Sequence, residues 1–237
     1  MHLVTLACLI QFLKDNGVTP FMGTYNKRVC EYIMEDLAFQ KYWSGGLNHV
    51  ELSKSDNIFN LWRITDTEKD LYAKHVEKYL RSNYFEGKDL GAVSLCLAEA
   101  FYNVFDHAQA KGNAFSLLAY DVDTSILRGA ICDFGVGLAT TIRKGHPEVL
   151  HDAEAIRLSI KDNITIGSTA RNRGLGMGNI VNNTDSIRIL SGNGLYVKND
   201  INNKTVQIPF TFPGTLIYFD IDLSTLEDET LLDNFNW

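Results

Sequence analysis

The pattern of hydrophobic and polar positions changes along the chain, from helical spacing in the first half to strand-like runs in the second. Apolar residues three and four positions apart predict helices near residues 3–15, 26–42, 68–82 and 90–110, with shorter ones near 138–144 and 152–161. Short apolar and β-branched runs predict strands, which read LWRIT, AFSLLAYDV, ILRGAICDF, SIRILS, GLYVKN, TVQIPF and GTLIYFDIDL.

Helices that come first and hairpin-linked strands that follow favour an α+β class, with helices on one face of a mixed β-sheet. A doubly wound parallel fold would need strands and helices to alternate throughout, and this alternation is absent. We expect two units, an N-terminal helical segment at 1–60 and a larger domain at 61–237.

Composition narrows the class of protein. The chain has 237 residues with a net charge of −7, which argues against binding to a nucleic-acid backbone. Its four cysteines are widely spaced without a C-x-x-C pair, which argues against structural zinc and favours a reducing cytoplasm. The apolar N-terminal run meets Gln11, Lys14 and Asp15 too early for a membrane span. We therefore expect a cytoplasmic protein that binds neither nucleic acid nor membrane.

The helix at 90–110 carries a polar stripe beside its apolar one. Glu99, Asn103 and His107 follow each other at intervals of four, so they share one flank of the helix. A carboxylate and an amide at the rim of a core are typical of a ligand pocket, and the alternative is a solvated helix flank.

Two glycine-containing segments are the other candidates. Asp133-Phe134-Gly135-Val136-Gly137 ends an apolar strand, and there Asp133 offers an acceptor to an amine of a flat heterocycle. Gly174-Leu175-Gly176-Met177-Gly178 precedes a helical run and follows Arg171 and Arg173, an arrangement that suits a bound anion. The alternatives are a helix cap with turn glycines and a flexible connector.

These motifs together resemble the GHKL superfamily of histidine kinase-like ATPases. The resemblance covers roughly residues 61–222, where a Glu-x-x-x-Asn helix precedes Asp-x-Gly-x-Gly, a glycine-rich lid and a late Gly-Thr at Gly214-Thr215. It implies a two-layer α/β sandwich of the Bergerat type, with ATP and Mg²⁺ as cofactors. The N-terminal stretches LVTLACLIQFLKDNG and YNKRVCEYIMEDLAF resemble the latter part of a STAS-like segment found ahead of ATPase domains in some bacterial proteins.

The resemblance also implies a role for each matched residue. Asn103 would hold Mg²⁺, Glu99 would orient or deprotonate water, Asp133 would recognise the adenine amine, and Thr215 would join that hydrogen-bond network. The remaining nucleotide-binding positions are glycines and lid residues, namely Gly135, Gly137, Arg171, Arg173, Gly174, Leu175, Gly176, Met177 and Gly178. We expect residues 163–178 to form a lid that the triphosphate orders.

The implied function is a regulatory ATP-binding module that controls a partner protein, through slow hydrolysis or through phosphoryl transfer as in anti-sigma-type serine kinases. A homodimer is a further option. The alternative from another class is a non-catalytic adenine-nucleotide sensor or interaction module. No phospho-acceptor helix pair of the sensor-kinase type precedes the motifs, so histidine autophosphorylation within the chain is not expected.

Overall fold

The computed structural model describes residues 2–37, 39, 58–65, 68–107, 114–161 and 176–229. Seven α-helices lie within these residues: α1 His2–Asp15, α2 Lys27–Glu31, α3 Lys69–Asn83, α4 Gly91–Tyr102, α5 Leu138–Gly145, α6 Asp152–Ser159 and α7 Gly176–Asn182. The five strands are β1 Ile58–Ile64, β2 Ala114–Asp121, β3 Ile126–Asp133, β4 Ser186–Lys198 and β5 Asn203–Asp222. The predicted α+β class is confirmed.

The strands form one sheet in the order β1-β2-β3-β5-β4, and every neighbouring pair is antiparallel. The prediction of a mixed sheet is therefore wrong. Short connections at 122–125 and 199–202 join β2 to β3 and β4 to β5 as hairpins, and a hairpin makes its strands antiparallel. The β5 strand then returns beside β3 in the opposite direction, which leaves β4 at the edge.

The four strands predicted near the C-terminus form only two long strands in the structure. SIRILS and GLYVKN are both parts of β4, and TVQIPF and GTLIYFDIDL are both parts of β5. The strands continue through the polar and glycine residues between these parts. The pairing register shifts there, at Ser191–Gly194, because β5 has extra residues opposite β4. A bulge of this kind interrupts the alternation of side chains without ending the strand.

Two helix predictions need adjustment. The helix expected at 26–42 consists of α2 followed by a π-helical turn at Tyr32–Asp36, and residues 40–42 lie outside the described residues. The helix expected at 90–110 remains α-helical only to Tyr102, after which Asn103–His107 form a π-helical turn. Single π turns inside helices are frequent at functional sites.

The main hydrophobic core lies between one face of the sheet and helices α3 to α7. Fully buried side chains from both layers meet there, among them Leu97 and Phe101 of α4, Ile131 of β3 and Phe219 of β5. Burying a side chain of this size stabilises the fold by about 1.5–3 kcal/mol. This core fixes α4 and α7 over the end of β3 and the adjoining part of β5, where the candidate site lies.

Helix α1 of the N-terminal segment packs on the opposite face of the sheet, whereas the helices of the larger unit, α3 to α7, lie on one face as predicted. Its buried residues Val4, Ala7 and Cys8 meet Phe115 of β2 and Cys132 of β3 in a second core. The sheet needs this cover because alternate residues of β2, β3 and β5 are apolar on that face too.

Strand β1 begins at Ile58, two residues before the expected boundary at residue 60, and the division into two units stays a prediction. No helix among the described residues combines the length and apolar character that a membrane crossing requires.

Candidate functional site

The candidate site lies where β3 ends, beside the middle of β5 and β4. The backbone register pairs Asp133 with Thr215, and Thr215 with Ser191, so the three residues form a row across the sheet. All three are buried on the face that carries α3 to α7. The row therefore presents a carboxylate and two hydroxyl groups to the space below α4 and α7.

Asp133 is fully buried, and only one of its carboxylate oxygens is satisfied. Its Oδ1 accepts a hydrogen bond from the backbone N–H of Gly135 at 2.8 Å. Its Oδ2 is buried and has no hydrogen-bond partner among the described residues. Burial raises the pKa of Asp133 to about 7, although the backbone N–H groups of Gly135 and Thr215 oppose the rise.

Two glycines let the backbone close around this row. Gly137 and Gly214 have φ values of +79° and +82°, which side chains rarely tolerate. A Cβ on Gly214 would lie 2.7 Å from the Cα of Phe134, and one on Gly137 would lie 2.8 Å from the carbonyl oxygen of Gly214. This close approach explains why glycine occupies the last position of Asp-x-Gly-x-Gly, Gly137, and the first position of Gly-Thr, Gly214.

Thr215 and Ser191 cap the N-terminus of α5. The Thr215 hydroxyl accepts from the backbone N–H of Leu138 at 2.9 Å, and the Ser191 hydroxyl accepts from that of Ala139 at 3.3 Å. Ser191 also donates to the carbonyl oxygen of Gly214 at 2.9 Å. Sequence reasoning missed Ser191, because a serine within one of several similar strands carries no distinguishing signal.

Glu99 of α4 and Asn103, one turn later at the start of the π-helical turn, both face the start of α7. The Nδ2 of Asn103 donates to the backbone carbonyl oxygen of Glu99 at 2.9 Å, which fixes the amide group. The Oε2 of Glu99 is buried and has no partner among the described residues. Burial raises the pKa of Glu99, and a hydrogen bond with the side chain of Asn179 acts in the opposite direction.

The described part of the predicted lid packs against this pair. A Cβ on Gly176 would lie 2.9 Å from the Oε2 of Glu99 and 3.6 Å from the Nδ2 of Asn103, so α7 starts directly on the two side chains. Met177 and Gly178 are buried in the same helix. The other predicted lid residues lie outside the described residues, namely Arg171, Arg173, Gly174 and Leu175.

A small cavity joins the two groups of residues. Four predicted site residues line it, Asn103, Asp133, Met177 and Thr215. Its other walls are the apolar side chains Val104, Ile131, Leu138 and Ile217. The cavity volume is about 10 Å³, which is room for one water molecule. A heterocycle is larger than this cavity, so it would enter only if the elements that line the cavity moved apart.

Comparison with models of protein families, with curated proteins and with solved structures finds no match to this chain. Within the described residues, no three His, Cys, Asp or Glu side chains cluster so as to hold a metal ion. The function of the chain is therefore inferred from the geometry of this site.

The burial of Asp133 predicts a specific pH dependence of stability. Between about pH 4 and about pH 7 the folded chain keeps a proton on Asp133 that the unfolded chain has lost. The free energy of unfolding should therefore fall as the pH rises through this window, by up to about 1.4 kcal/mol per pH unit, and level off above it.

The measurement is urea unfolding of the wild-type chain and of Asp133→Asn across this window. The difference between the two isolates Asp133 from Glu99, whose pKa is also raised. If the substitution leaves the pH dependence as it is in the wild type, the account of Asp133 is wrong.

Proposed function

We propose that this chain is an ATP-binding regulatory module of the GHKL type that acts in the cytoplasm on a partner protein. The observation that carries the proposal is the Oδ2 of Asp133, a buried acceptor without a partner among the described residues, at a cavity that Asn103, Met177 and Thr215 also line. The four free cysteines agree with a reducing compartment.

Asp133 suits the exocyclic amine of adenine. Because Oδ1 is occupied by the N–H of Gly135, Oδ2 is the oxygen left to accept a hydrogen bond. An unmade hydrogen bond at a buried carboxylate costs about 1–3 kcal/mol, and an amine donor would recover it. Once the cavity opens beyond the room for one water that it has here, its apolar walls, Val104, Ile131, Leu138 and Ile217, would suit the faces of a flat ring.

The other half of the site suits a triphosphate with Mg²⁺. The hydrogen bond from the Nδ2 of Asn103 to Glu99 leaves the amide oxygen of Asn103 as the end that can bind a cation. Magnesium takes few protein ligands and completes its shell with water and phosphate oxygens, so one amide oxygen is sufficient. Arg171, Arg173 and the lid glycines would contact the phosphates.

Glu99 would accept a proton in either of two reactions, hydrolysis or phosphoryl transfer. With its pKa raised by burial, its carboxylate is a stronger base for a proton from water in hydrolysis, or from a hydroxyl of the partner in phosphoryl transfer. A second candidate, a sensor that binds ATP without turnover, is favoured by the position of Gly176, which covers the Oε2 of Glu99.

Asp133→Asn should weaken ATP binding and reduce the preference for ATP over GTP. The wild-type chain should prefer ATP by roughly ten- to a hundredfold, because guanine places a carbonyl where adenine has its amine. Calorimetric titration with both nucleotides measures the ratio, and Asp123→Asn, which changes an exposed aspartate, is the control. Equal affinity of the wild-type chain for ATP and GTP would contradict the proposal.

Asn103→Ala should weaken Mg²⁺-ATP far more than metal-free ATP, since only the former uses the amide oxygen. The matched control is Asn83→Ala, because Asn83 makes the same amide-to-carbonyl bond one turn back, to Tyr79, at an exposed helix end. Binding that is independent of Mg²⁺, and unaffected by the substitution, would exclude this role of Asn103.

Glu99→Gln tests whether the site turns ATP over or only binds it. If Glu99 accepts a proton, the substitution should lower the rate of ADP formation by about a hundredfold or more while ATP binding persists. The measurement is ADP formation from ATP with Mg²⁺, because ADP is a product of both hydrolysis and phosphoryl transfer, alongside calorimetric binding of ATP. A wild-type chain that binds ATP and forms no ADP, alone or with a partner, would identify the sensor.

A further inference from the structure

Helix α1 contacts the back of the strand end that carries Asp133. The Sγ of Cys8 donates a hydrogen bond to the backbone carbonyl oxygen of Cys132 at 3.2 Å, directly before Asp133 in the chain. Ala7 beside it is completely buried, and its small side chain lets the helix approach the sheet closely. The N-terminal helix is thus one layer of backbone away from the candidate site.

An aromatic contact extends this link to the residue after Asp133. The ring of Phe134 lies edge-on to Phe12 of α1, with centroids 6.2 Å apart, and edge-on to Phe212 of β5, at 5.8 Å. Edge-to-face pairs at these separations are attractive and depend on ring orientation. Phe134 is therefore held from the back face by one ring on α1 and another on β5.

The backbone of Phe134 links Asp133 to the N–H group that binds its carboxylate. Phe134 is the middle residue of the turn in which the N–H of Gly135 donates to the Oδ1 of Asp133 at 2.8 Å. A rotation of the peptide groups on either side of Phe134 moves this N–H, and the carboxylate must follow it or lose the bond. The free Oδ2 would then point in a different direction.

We propose that Phe12 is a positioning residue for Asp133, acting through the ring of Phe134, so that the docking of α1 on the sheet regulates the nucleotide site. The regulatory part rests on the proposed function. Phe12 is 50% exposed, so its truncation should cost less stability than truncation of a fully buried core residue would. Leu9 of the same helix is 44% exposed and is the matched control.

The first test needs no nucleotide and uses the ¹H–¹⁵N NMR spectrum of the full chain. Phe12→Ala and Phe12→Leu should both shift the amide resonance of Gly135, because both remove the ring. Phe12→Leu keeps a large apolar side chain, so it separates loss of the ring from loss of apolar bulk. Phe12→Tyr, which keeps the ring, and Leu9→Ala should leave this resonance close to its wild-type position. An unchanged Gly135 amide in Phe12→Leu overturns the proposal.

The second test measures calorimetric affinity for ATP and GTP. Phe12→Leu should weaken ATP binding by about three- to tenfold, the size expected for one lost aromatic pair, and lower the ATP-to-GTP ratio. Leu9→Ala should match the wild type. If Phe12→Leu lowers stability but leaves the ATP-to-GTP affinity ratio unchanged, Phe12 has only a packing role, and the proposal is overturned. If the wild-type chain binds neither nucleotide, the proposed function fails, and the Gly135 amide alone decides whether Phe12 positions Asp133.

Discussion

The structure of the candidate site depends on the close approach of the β5 backbone to the end of β3. At Gly214 the chain passes so near the backbone of Asp133 and Phe134 that no side chain fits, and Gly137 meets the carbonyl oxygen of Gly214 in the same way. This contact places Thr215 beside Asp133 and starts α5 under the hydroxyl groups of Thr215 and Ser191. A Cβ at Gly214 would separate the strands and displace all of these groups together.

Two buried carboxylate oxygens of the candidate site have no partner among the described residues. An unsatisfied buried acceptor costs about 1–3 kcal/mol, so a fold normally provides donors. Within the described chain three such oxygens occur, and two of them, the Oδ2 of Asp133 and the Oε2 of Glu99, belong to the site predicted from sequence. The third, the Oδ1 of Asp220, belongs to a carboxylate whose other oxygen accepts from Ser186. The uncompensated polarity of the described chain is therefore concentrated at the candidate site.

The sequence predicted the class of the fold and much of the site for reasons that the structure makes clear. Glu99 and Asn103 were recognisable because helical spacing places them on one flank, and Asp133 because a charged residue ends an apolar strand. Asn103, Asp133, Met177 and Thr215 do line one cavity, and Gly176 does lie on Glu99 and Asn103. What they bind stays a prediction.

The remaining features depend on contacts that have no local signature. The antiparallel order follows from where β5 returns, and the apolar pattern of a strand is the same in either direction. Helix α1 was recognisable as a helix, but its periodicity does not reveal which face of the sheet it covers. Since Phe12 meets Phe134 across more than a hundred positions of chain, only the packed structure connects the N-terminal helix with Asp133. The back face of the sheet therefore belongs to the physical description of the site as much as the face that carries the carboxylate.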